Sequence, residues 1–220
     1  MNLQEVHTLE QPVSTLEANP PNEPLTEDLG PSFELEVIYY IQELRTSNGW
    51  VEHHVRRPFR IRTMLGSMYH DCLPVIRISV AFDHVIAKDR FVELFTRQRA
   101  QWDKFRKQVE TIEEGEWTVQ QFVLPFPVKN RFFCETSRVL SEKQCVWVVS
   151  HSVELPAPTK LPQGYTYFSV VELVNSASKA VITATSQTDL QLPNNAKSEE
   201  LLAKIGREWA VQCFEAFSAV

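Results

Sequence analysis

The sequence predicts an α+β domain in which helices cover one curved antiparallel sheet of about nine strands. From about residue 108 to residue 190, stretches of roughly ten residues alternate in period two between turn residues, which is typical of antiparallel meanders. The final segment, from Ser198 onward, has apolar residues at helical spacing on one broad face. Because a curved sheet needs its concave face covered, we expect this C-terminal helix to be the cover.

A helix, three strands and a helical block precede the meander. Helical spacing starts near Phe33, with Ser32 as a plausible N-cap. The helical block is expected over Ile86–Lys107. The expected strands are Trp50–Arg57, Phe59–Met64, Leu73–Phe82, Trp117–Leu124, Arg131–Leu140, Gln144–Val153, Tyr165–Asn175 and Ala180–Leu190.

The composition is that of a globular domain with an acidic tail. Residues 1–32 hold six acidic residues and five prolines but no Lys or Arg, so we expect a disordered tail there and one folded domain over residues 33–220. Without those six, 22 acidic residues balance the 22 Lys and Arg residues. The domain therefore lacks the basic surface of a nucleic-acid-binding protein.

Several function classes are excluded by missing motifs. Residues 1–12 have neither the basic nor the apolar region of a signal peptide, and four widely spaced cysteines form no CxxC cluster. We therefore expect reduced thiols and a cytoplasmic location. His53 and His54 are adjacent on a predicted strand and point to opposite faces, which argues against a metal site. No nucleophile elbow or glycine-rich phosphate loop is present, and we expect no cofactor.

Two local motifs resemble segments of START domains, the StAR-related lipid transfer family. Arg99-Ala-Gln-Trp102-Asp103 is similar to the R-x-x-W-D segment that ends the family's middle helices. The run PFPVKNRFF, residues 125–133, is similar to the family's P-[FWY]-P-[VM]-x-N-R-D-[FY] segment. A weaker match covers Ser150–Gly164, and the resemblance extends over roughly residues 45–218.

This resemblance implies a helix-grip fold, in which the curved sheet wraps the C-terminal helix and leaves a lipid-sized tunnel. Family members bind or carry one sterol, glycerophospholipid or sphingolipid per domain. We accordingly expect a monomer whose partners are a lipid ligand and, transiently, membrane surfaces. The chain departs from the family pattern at Phe132, where an Asp is usual, and at Tyr167, where an Arg is often found.

The resemblance implies polar recognition by two arginines. Arg99 matches an arginine that contacts the lipid phosphate in the phosphatidylcholine-carrying branch, which suits a forked guanidinium. An ion pair with Asp103, four residues on, is the alternative, and both roles are compatible. Arg131 begins a strand where family tunnels often place an arginine facing the cavity. A choline cage would use aromatic faces; Phe133 matches its second aromatic, but Gln120 occupies the first position.

Aromatic candidates for the cavity wall come from the strands and the last helix. Period two shows that each strand has an inner face, but not which face it is. Trp102 is predicted to fill the core, and core packing is also the alternative for the helical phenylalanines. Besides the two arginines and Phe133, the candidate ligand-binding residues are Trp117, Phe122, Trp147, Tyr167, Phe214 and Phe217.

The sequence thus predicts a non-catalytic protein that binds a lipid and transfers it between membranes. Entry needs an opening, and the expected gate is the C-terminal helix with the loop that holds Leu124, Phe126 and Val128. One alternative is an interaction or lipid-sensing module, which a filled cavity would favour. Another is a helix-grip enzyme with His151 or Glu135 as a base, for which no supporting ligand set is present.

Overall fold

The described residues form one nine-stranded antiparallel sheet. The computed structural model describes residues 31–112, 117–125, 128–154, 160–192 and 196–218. In chain order the elements are α1 (Pro31–Leu44), β1 (Val51–Arg56), β2 (Phe59–Leu65), β3 (Pro74–Phe82), α2 (Lys88–Thr96), α3 (Arg99–Trp102), β4 (Arg106–Ile112), β5 (Trp117–Phe122), β6 (Arg131–Ser141), β7 (Cys145–Ser152), β8 (Tyr165–Asn175), β9 (Ala180–Asp189) and α4 (Ala196–Ser218). This confirms the predicted α+β class.

The strand order explains how two hairpin runs become one sheet. The order is β1-β2-β3-β9-β8-β7-β6-β5-β4, so the last strand of the six-strand meander returns to pair with β3. In that pairing Ile78 lies opposite Ala184, at the middle of both strands. α4 packs mainly on β3 and β2, which lie toward the β1 edge of the sheet.

The segment after β3 differs from the prediction. The expected helical block over Ile86–Lys107 consists of two short helices, and its last residues belong to β4. Arg106 pairs with Phe122 and Ile112 with Trp117 across β4 and β5. Hairpin pairing with β5 overrides local helical spacing here, because the ladder supplies contacts that periodicity does not report.

Both long helices begin slightly before their predicted caps. α1 starts at Pro31, where a proline suits the first helical position, so Ser32 lies inside the first turn. α4 starts at Ala196, which places Ser198 inside its first turn as well. Of the acidic tail expected over residues 1–32, only the last two residues lie in the described part.

Two apolar clusters lie on opposite faces of the sheet. One face packs against α2 and α4 and is called the α4 face; the other packs against α1 and is called the α1 face. Alternation in β7 assigns each side chain: Val146 and Val148 join the α4-face cluster, whereas Trp147 and Val149 join the α1-face cluster. None of the described helices is long and apolar enough to cross a bilayer.

Candidate functional site

A cavity of about 110 Å³ lies between α4 and the α4 face of the sheet. Its apolar wall combines Ile76 and Ile78 of β3 with Ile205 and Trp209 of α4. On one side the helix backbone closes the space, because a Cβ at Gly206 would lie only 3.1 Å from Ile76 Cδ1. A glycine at this position therefore allows α4 to approach β3 closely.

Four charged side chains converge at one end of this cavity. Arg99 and Asp103 come from α3 and its C-terminal end, Arg106 from the start of β4, and Glu135 from β6. Arg99 Nε donates to Asp103 Oδ2 at 3.2 Å, and Arg106 Nη1 donates to Glu135 Oε2 at 2.6 Å. We call these four residues the charged quartet; it has two cations and two carboxylates, so its formal charge is zero.

Local structure positions each member of the quartet. Asp103 is the C-cap residue of α3, and its Oδ1 accepts from the backbone N–H of Phe105 at 3.1 Å, which turns the chain into β4. Glu135 Oε1 accepts from Thr166 Oγ1 at 2.7 Å, so both carboxylate oxygens of Glu135 are bonded. Arg106 Nη1 also donates to Gln120 Oε1 at 2.7 Å. Gln120 occupies the position of the first aromatic residue in the expected choline cage, and here it accepts a hydrogen bond from Arg106.

Burial and pairing shift the pKa values of this cluster. Burial is the main reason that the pKa of Arg99 is lowered to about 10; the charge of the neighbouring Arg106 acts in the same direction and Asp103 opposes the change. Arg99 therefore still carries its charge at neutral pH. Burial by itself raises the pKa of Glu135, but the positive charge of Arg106 and the Thr166 hydrogen bond outweigh it, so that pKa is lowered.

Donors on the cavity wall lack acceptors among the described residues. Arg106 Nε and Trp209 Nε1 are both buried without a hydrogen-bond partner there. The Nη atoms of Arg99 likewise donate no hydrogen bond within the described part of the chain, and the Arg99 side chain keeps 15% exposure. Since an unsatisfied buried donor costs about 1–3 kcal/mol, an acceptor that enters the cavity gains these bonds.

The structure brings three predicted ligand-binding residues to the cavity wall, Arg99, Phe122 and Phe133. Arg131 is buried nearby, but its Nε donates to the carbonyl of Leu190 at 2.9 Å and its Nη1 to that of Lys129 at 2.6 Å. Backbone carbonyls therefore take the place of the acid that the family pattern puts after this arginine, and Arg131 fixes the ends of β6 and β9 together.

The other predicted wall residues lie elsewhere. Trp147 is on the α1 face, where its Nε1 donates to Glu172 Oε1 at 3.1 Å. Tyr167 sits at a β-bulge and packs against His70 at 5.2 Å between ring centroids, outside the cavity. Phe214 and Phe217 pack on Phe82, at 5.5 and 6.1 Å, beyond the cavity toward the end of α4.

The gate residues are described only in part. Leu124 is buried, with its backbone N–H donating to Asn130 Oδ1 at 3.1 Å, and Val128 packs against the α4-face cluster. Phe126 lies outside the described residues, and so does the side chain of Trp117 at the start of β5.

Sequence reasoning missed part of the cavity wall. The sequence pattern predicts a helix at Arg106, and at Trp209 it indicates only an apolar helix face. One signal was present in β6: Arg131, Phe133 and Glu135 follow period two, which places all three on one face of the strand.

Phe133 holds its position in the wall because residue 164 is a glycine. A Cβ at Gly164 would lie 2.2 Å from Phe133 Cζ, and a buried ring has no flexible end that gives way. Gly164→Ala is therefore expected to lower the free energy of unfolding by about 1–3 kcal/mol in urea denaturation. Gly49→Ala is the control, since its Cβ would meet only the flexible end of Met64. Wild-type stability of Gly164→Ala would contradict this account.

Solved structures share this architecture. Human StAR-related lipid transfer protein 5 has a TM-score of 0.67 at 13% identity, covering 85% of this chain and 95% of that chain. Human STARD10 has a TM-score of 0.66 at 15% identity, covering 83% and 78%, and the lipid transfer and protein localization domain of human StarD13 has 0.56 at 18%, covering 84% and 98%. The sequence matches no protein-family model and no curated protein. At these identities the likeness establishes the fold: the chain has a START-like helix-grip domain.

Proposed function

We propose that the chain binds one lipid molecule in its cavity and transfers it between membranes. The observation that carries this proposal is a cavity with an apolar wall that also holds buried donors without acceptors, Arg106 Nε and Trp209 Nε1. An apolar chain would contact Ile78 and Ile205, gaining about 25 cal/mol per Å² of buried area. A polar headgroup would accept hydrogen bonds at the opposite end, next to Arg99.

The charged quartet favours a headgroup without net charge. Its two carboxylates already balance its two cations, so a net anionic group would enter an environment with no excess positive charge. A zwitterionic phospholipid, a sterol hydroxyl or a ceramide supplies acceptor oxygens without adding net charge. These three lipid types therefore fit the site better than an acidic lipid does.

Binding requires the cavity to expand. Its volume of about 110 Å³ is below the roughly 300–1,000 Å³ of ordinary ligand pockets. Separation of α4 from β3 enlarges it most directly, with the loop around Leu124, Phe126 and Val128 as the neighbouring part of the gate. Transient contact of this gate with a membrane surface would provide the route for lipid exchange by a monomeric, cytoplasmic carrier.

The quartet is better suited to binding than to catalysis. Both oxygens of Glu135 are held by Arg106 and Thr166, and a lowered pKa keeps the group ionised but engaged. His151 lies on the α1 face, with its ring 4.8 Å from that of Phe33, and so does not reach the cavity. We therefore propose a non-catalytic role.

The small cavity volume favours one alternative, an interaction or lipid-sensing module that does not transfer lipid. An interaction module would keep the helix-grip architecture while its interior stays contracted, so no lipid of defined mass would occupy the folded protein. A lipid-sensing module would hold a lipid and would differ from a carrier in the rate of lipid transfer between vesicles.

Trp209→Phe tests the proposed role of the unpaired donor. The full-length protein is incubated with vesicles of phosphatidylcholine, sterol and ceramide, and bound lipid is measured by native mass spectrometry. Removing Trp209 Nε1 takes away one hydrogen bond to the ligand, so we expect lipid affinity to fall about two- to tenfold. Thermal stability should fall less than in Trp102→Phe, because both variants lose the same ring volume from the core but only Trp102→Phe also loses a hydrogen bond within the protein.

Trp102→Phe is the matched control for this experiment. Trp102 Nε1 donates to the Leu94 carbonyl at 2.9 Å, so its loss affects the protein but no ligand bond. Equal loss of lipid from both variants would show that packing alone is involved. Absence of any lipid mass from the wild-type protein would favour the interaction module.

A further inference from the structure

A basic cluster lies on the α1 face of the sheet, opposite the cavity. It consists of Arg45, which follows α1, Arg62 of β2 and Arg77 of β3; we call these residues the arginine cluster. Arg62 and Arg77 are direct partners in the β2–β3 register. Arg45 Nη2 reaches Glu172 Oε1 of β8 at 2.6 Å.

Positive charge exceeds negative charge in this cluster. Glu172 forms an ion pair with Arg45, while Arg62 and Arg77 form no ion pair with any carboxylate of the described residues. The three arginines and Glu172 therefore leave a formal excess of two positive charges. Like charges directly opposite each other on neighbouring strands destabilise a sheet, so the facing pair of arginines is unfavourable without an anion.

Arg77 shows most clearly that a partner is absent. Its residue is only 6% exposed, and its Nε and Nη1 are buried without any hydrogen-bond partner among the described residues. Burial, together with the charges of Arg45 and Arg62, lowers the pKa of Arg77 to about 10, and Glu172 opposes this shift only in part. A buried guanidinium without a counter-ion is costly, since the charge has lost water and gained nothing in return.

The surroundings of Arg77 are polar. Thr185 lies opposite Arg77 in the β3–β9 register, and Ser79 and Thr183 are the next pair on the same face. The Ser79 and Thr183 hydroxyls are 3.2 Å apart. On the other side, the guanidinium carbon of Arg62 lies over the Trp50 ring, 5.0 Å from its centroid, in a cation–π contact. The cluster therefore has unpaired donors of Arg77 beside neutral hydroxyl groups, and an aromatic side chain next to Arg62.

We propose that the arginine cluster is a second binding site, which takes a phosphate group. A phosphomonoester dianion balances the excess of two charges, and its tetrahedral oxygens accept bonds from two guanidinium groups at once. A carboxylate offers less charge and fewer acceptors. The phosphate belongs to a free phosphorylated small molecule or to a lipid headgroup at a membrane surface, and the same chemistry recognises both.

Inorganic phosphate is the first probe. The full-length protein, labelled with 5-fluorotryptophan, is titrated with phosphate against chloride at equal ionic strength and followed by ¹⁹F NMR. The Trp50 signal, assigned with Trp50→Phe, is expected to shift because this ring lies next to the Arg62 guanidinium, whereas the signals of Trp102 and Trp209 on the α4 face stay unchanged. Phosphate should also raise the melting temperature.

Arg77→Gln and Arg62→Gln are the test variants, and each should weaken phosphate binding at least about tenfold. Arg97→Gln is the matched control, since it removes one positive charge from an exposed position near α2, far from the cluster. Arg62 is only partly buried, so Arg62→Gln keeps the test decisive if the Arg77 variant does not fold. No Trp50 shift in the wild type, or equal affinity in all three variants, overturns the proposal.

Vesicles distinguish the two sources of phosphate. Cosedimentation is compared for phosphatidylcholine vesicles that contain either phosphatidic acid or, at the same total charge, phosphatidylserine. If the protein binds vesicles that contain phosphatidic acid and Arg62→Gln abolishes this binding, the proposed site is supported and its phosphate comes from a lipid headgroup. Binding of inorganic phosphate without binding to vesicles supports the proposed site and indicates that its phosphate comes from a free small molecule. Vesicle binding that is equal for both acidic lipids and unaffected by Arg62→Gln, without phosphate binding, overturns it.

Discussion

Replacing Glu135 with leucine is expected to lower the free energy of unfolding by about 3–5 kcal/mol. The carboxylate is only 2% exposed and bonds to Arg106 at 2.6 Å and to Thr166 at 2.7 Å. Without it, Asp103 still pairs with Arg99, but the positive charge of Arg106 remains unpaired. Urea denaturation of the wild type and of Glu135→Leu measures this difference.

A double variant identifies the cause. Adding Arg106→Leu to Glu135→Leu removes the uncompensated charge and should recover a large part of the lost stability, since a buried pair replaced by apolar residues is often neutral. Glu142→Leu, at an exposed position after β6, is the control and should change the free energy of unfolding by less than about 0.5 kcal/mol. If the double variant is as unstable as Glu135→Leu alone, lost packing rather than unpaired charge is responsible.

The same pair predicts a pH dependence. Glu135 has a lowered pKa in the folded state, so in acid the unfolded chain takes up a proton that the folded chain does not. The contribution of Glu135 to stability is therefore fully present above the ordinary pKa of about 4.5 and is lost as the pH falls below it. The stability difference between wild type and Glu135→Leu should accordingly shrink below about pH 4.5.

The parts of the site that local rules control were predictable from the sequence. The spacing of Arg99 and Asp103, four residues apart, indicated their ion pair, and the structure contains it at 3.2 Å. Alternation in β6 similarly placed Phe133 and Glu135 on one face. In both cases the geometry depends on positions within one element, which the sequence encodes directly.

Other parts depend on contacts between separate elements, and these were not predictable. β7 is apolar on both faces, so its alternation could not show that Trp147 faces α1. A bulge in β8 places both Thr166 and Ser169 on the cavity wall and leaves Tyr167 outside, which breaks period two. Arg106 enters the cavity only because β4 pairs with β5. Register, bulges and sheet faces are decided by tertiary pairing rather than by local pattern.

Ala184→Leu is expected to reduce lipid occupancy at least about tenfold, because the larger side chain would fill the space that an acyl chain or sterol ring must use. Ala184 lies on the cavity wall at the centre of β9, opposite Ile78. The cavity of about 110 Å³ accepts the added carbons, so the free energy of unfolding should change by no more than about 1 kcal/mol. Native mass spectrometry after incubation with lipid vesicles measures occupancy, and urea denaturation measures stability.

Val181→Leu is the matched control, since it adds apolar volume on the same strand at an exposed position outside the cavity. A lipid carrier loses occupancy only in Ala184→Leu, and its rate of lipid transfer between vesicles falls in proportion. An interaction module would show no lipid occupancy in the wild type or in either variant, because its interior remains contracted. Unchanged lipid occupancy in a folded Ala184→Leu protein would therefore place the lipid outside this cavity. Loss of lipid occupancy in an Ala184→Leu protein of wild-type stability would instead show that the lipid occupies the space between β9 and α4, without any change to the charged quartet.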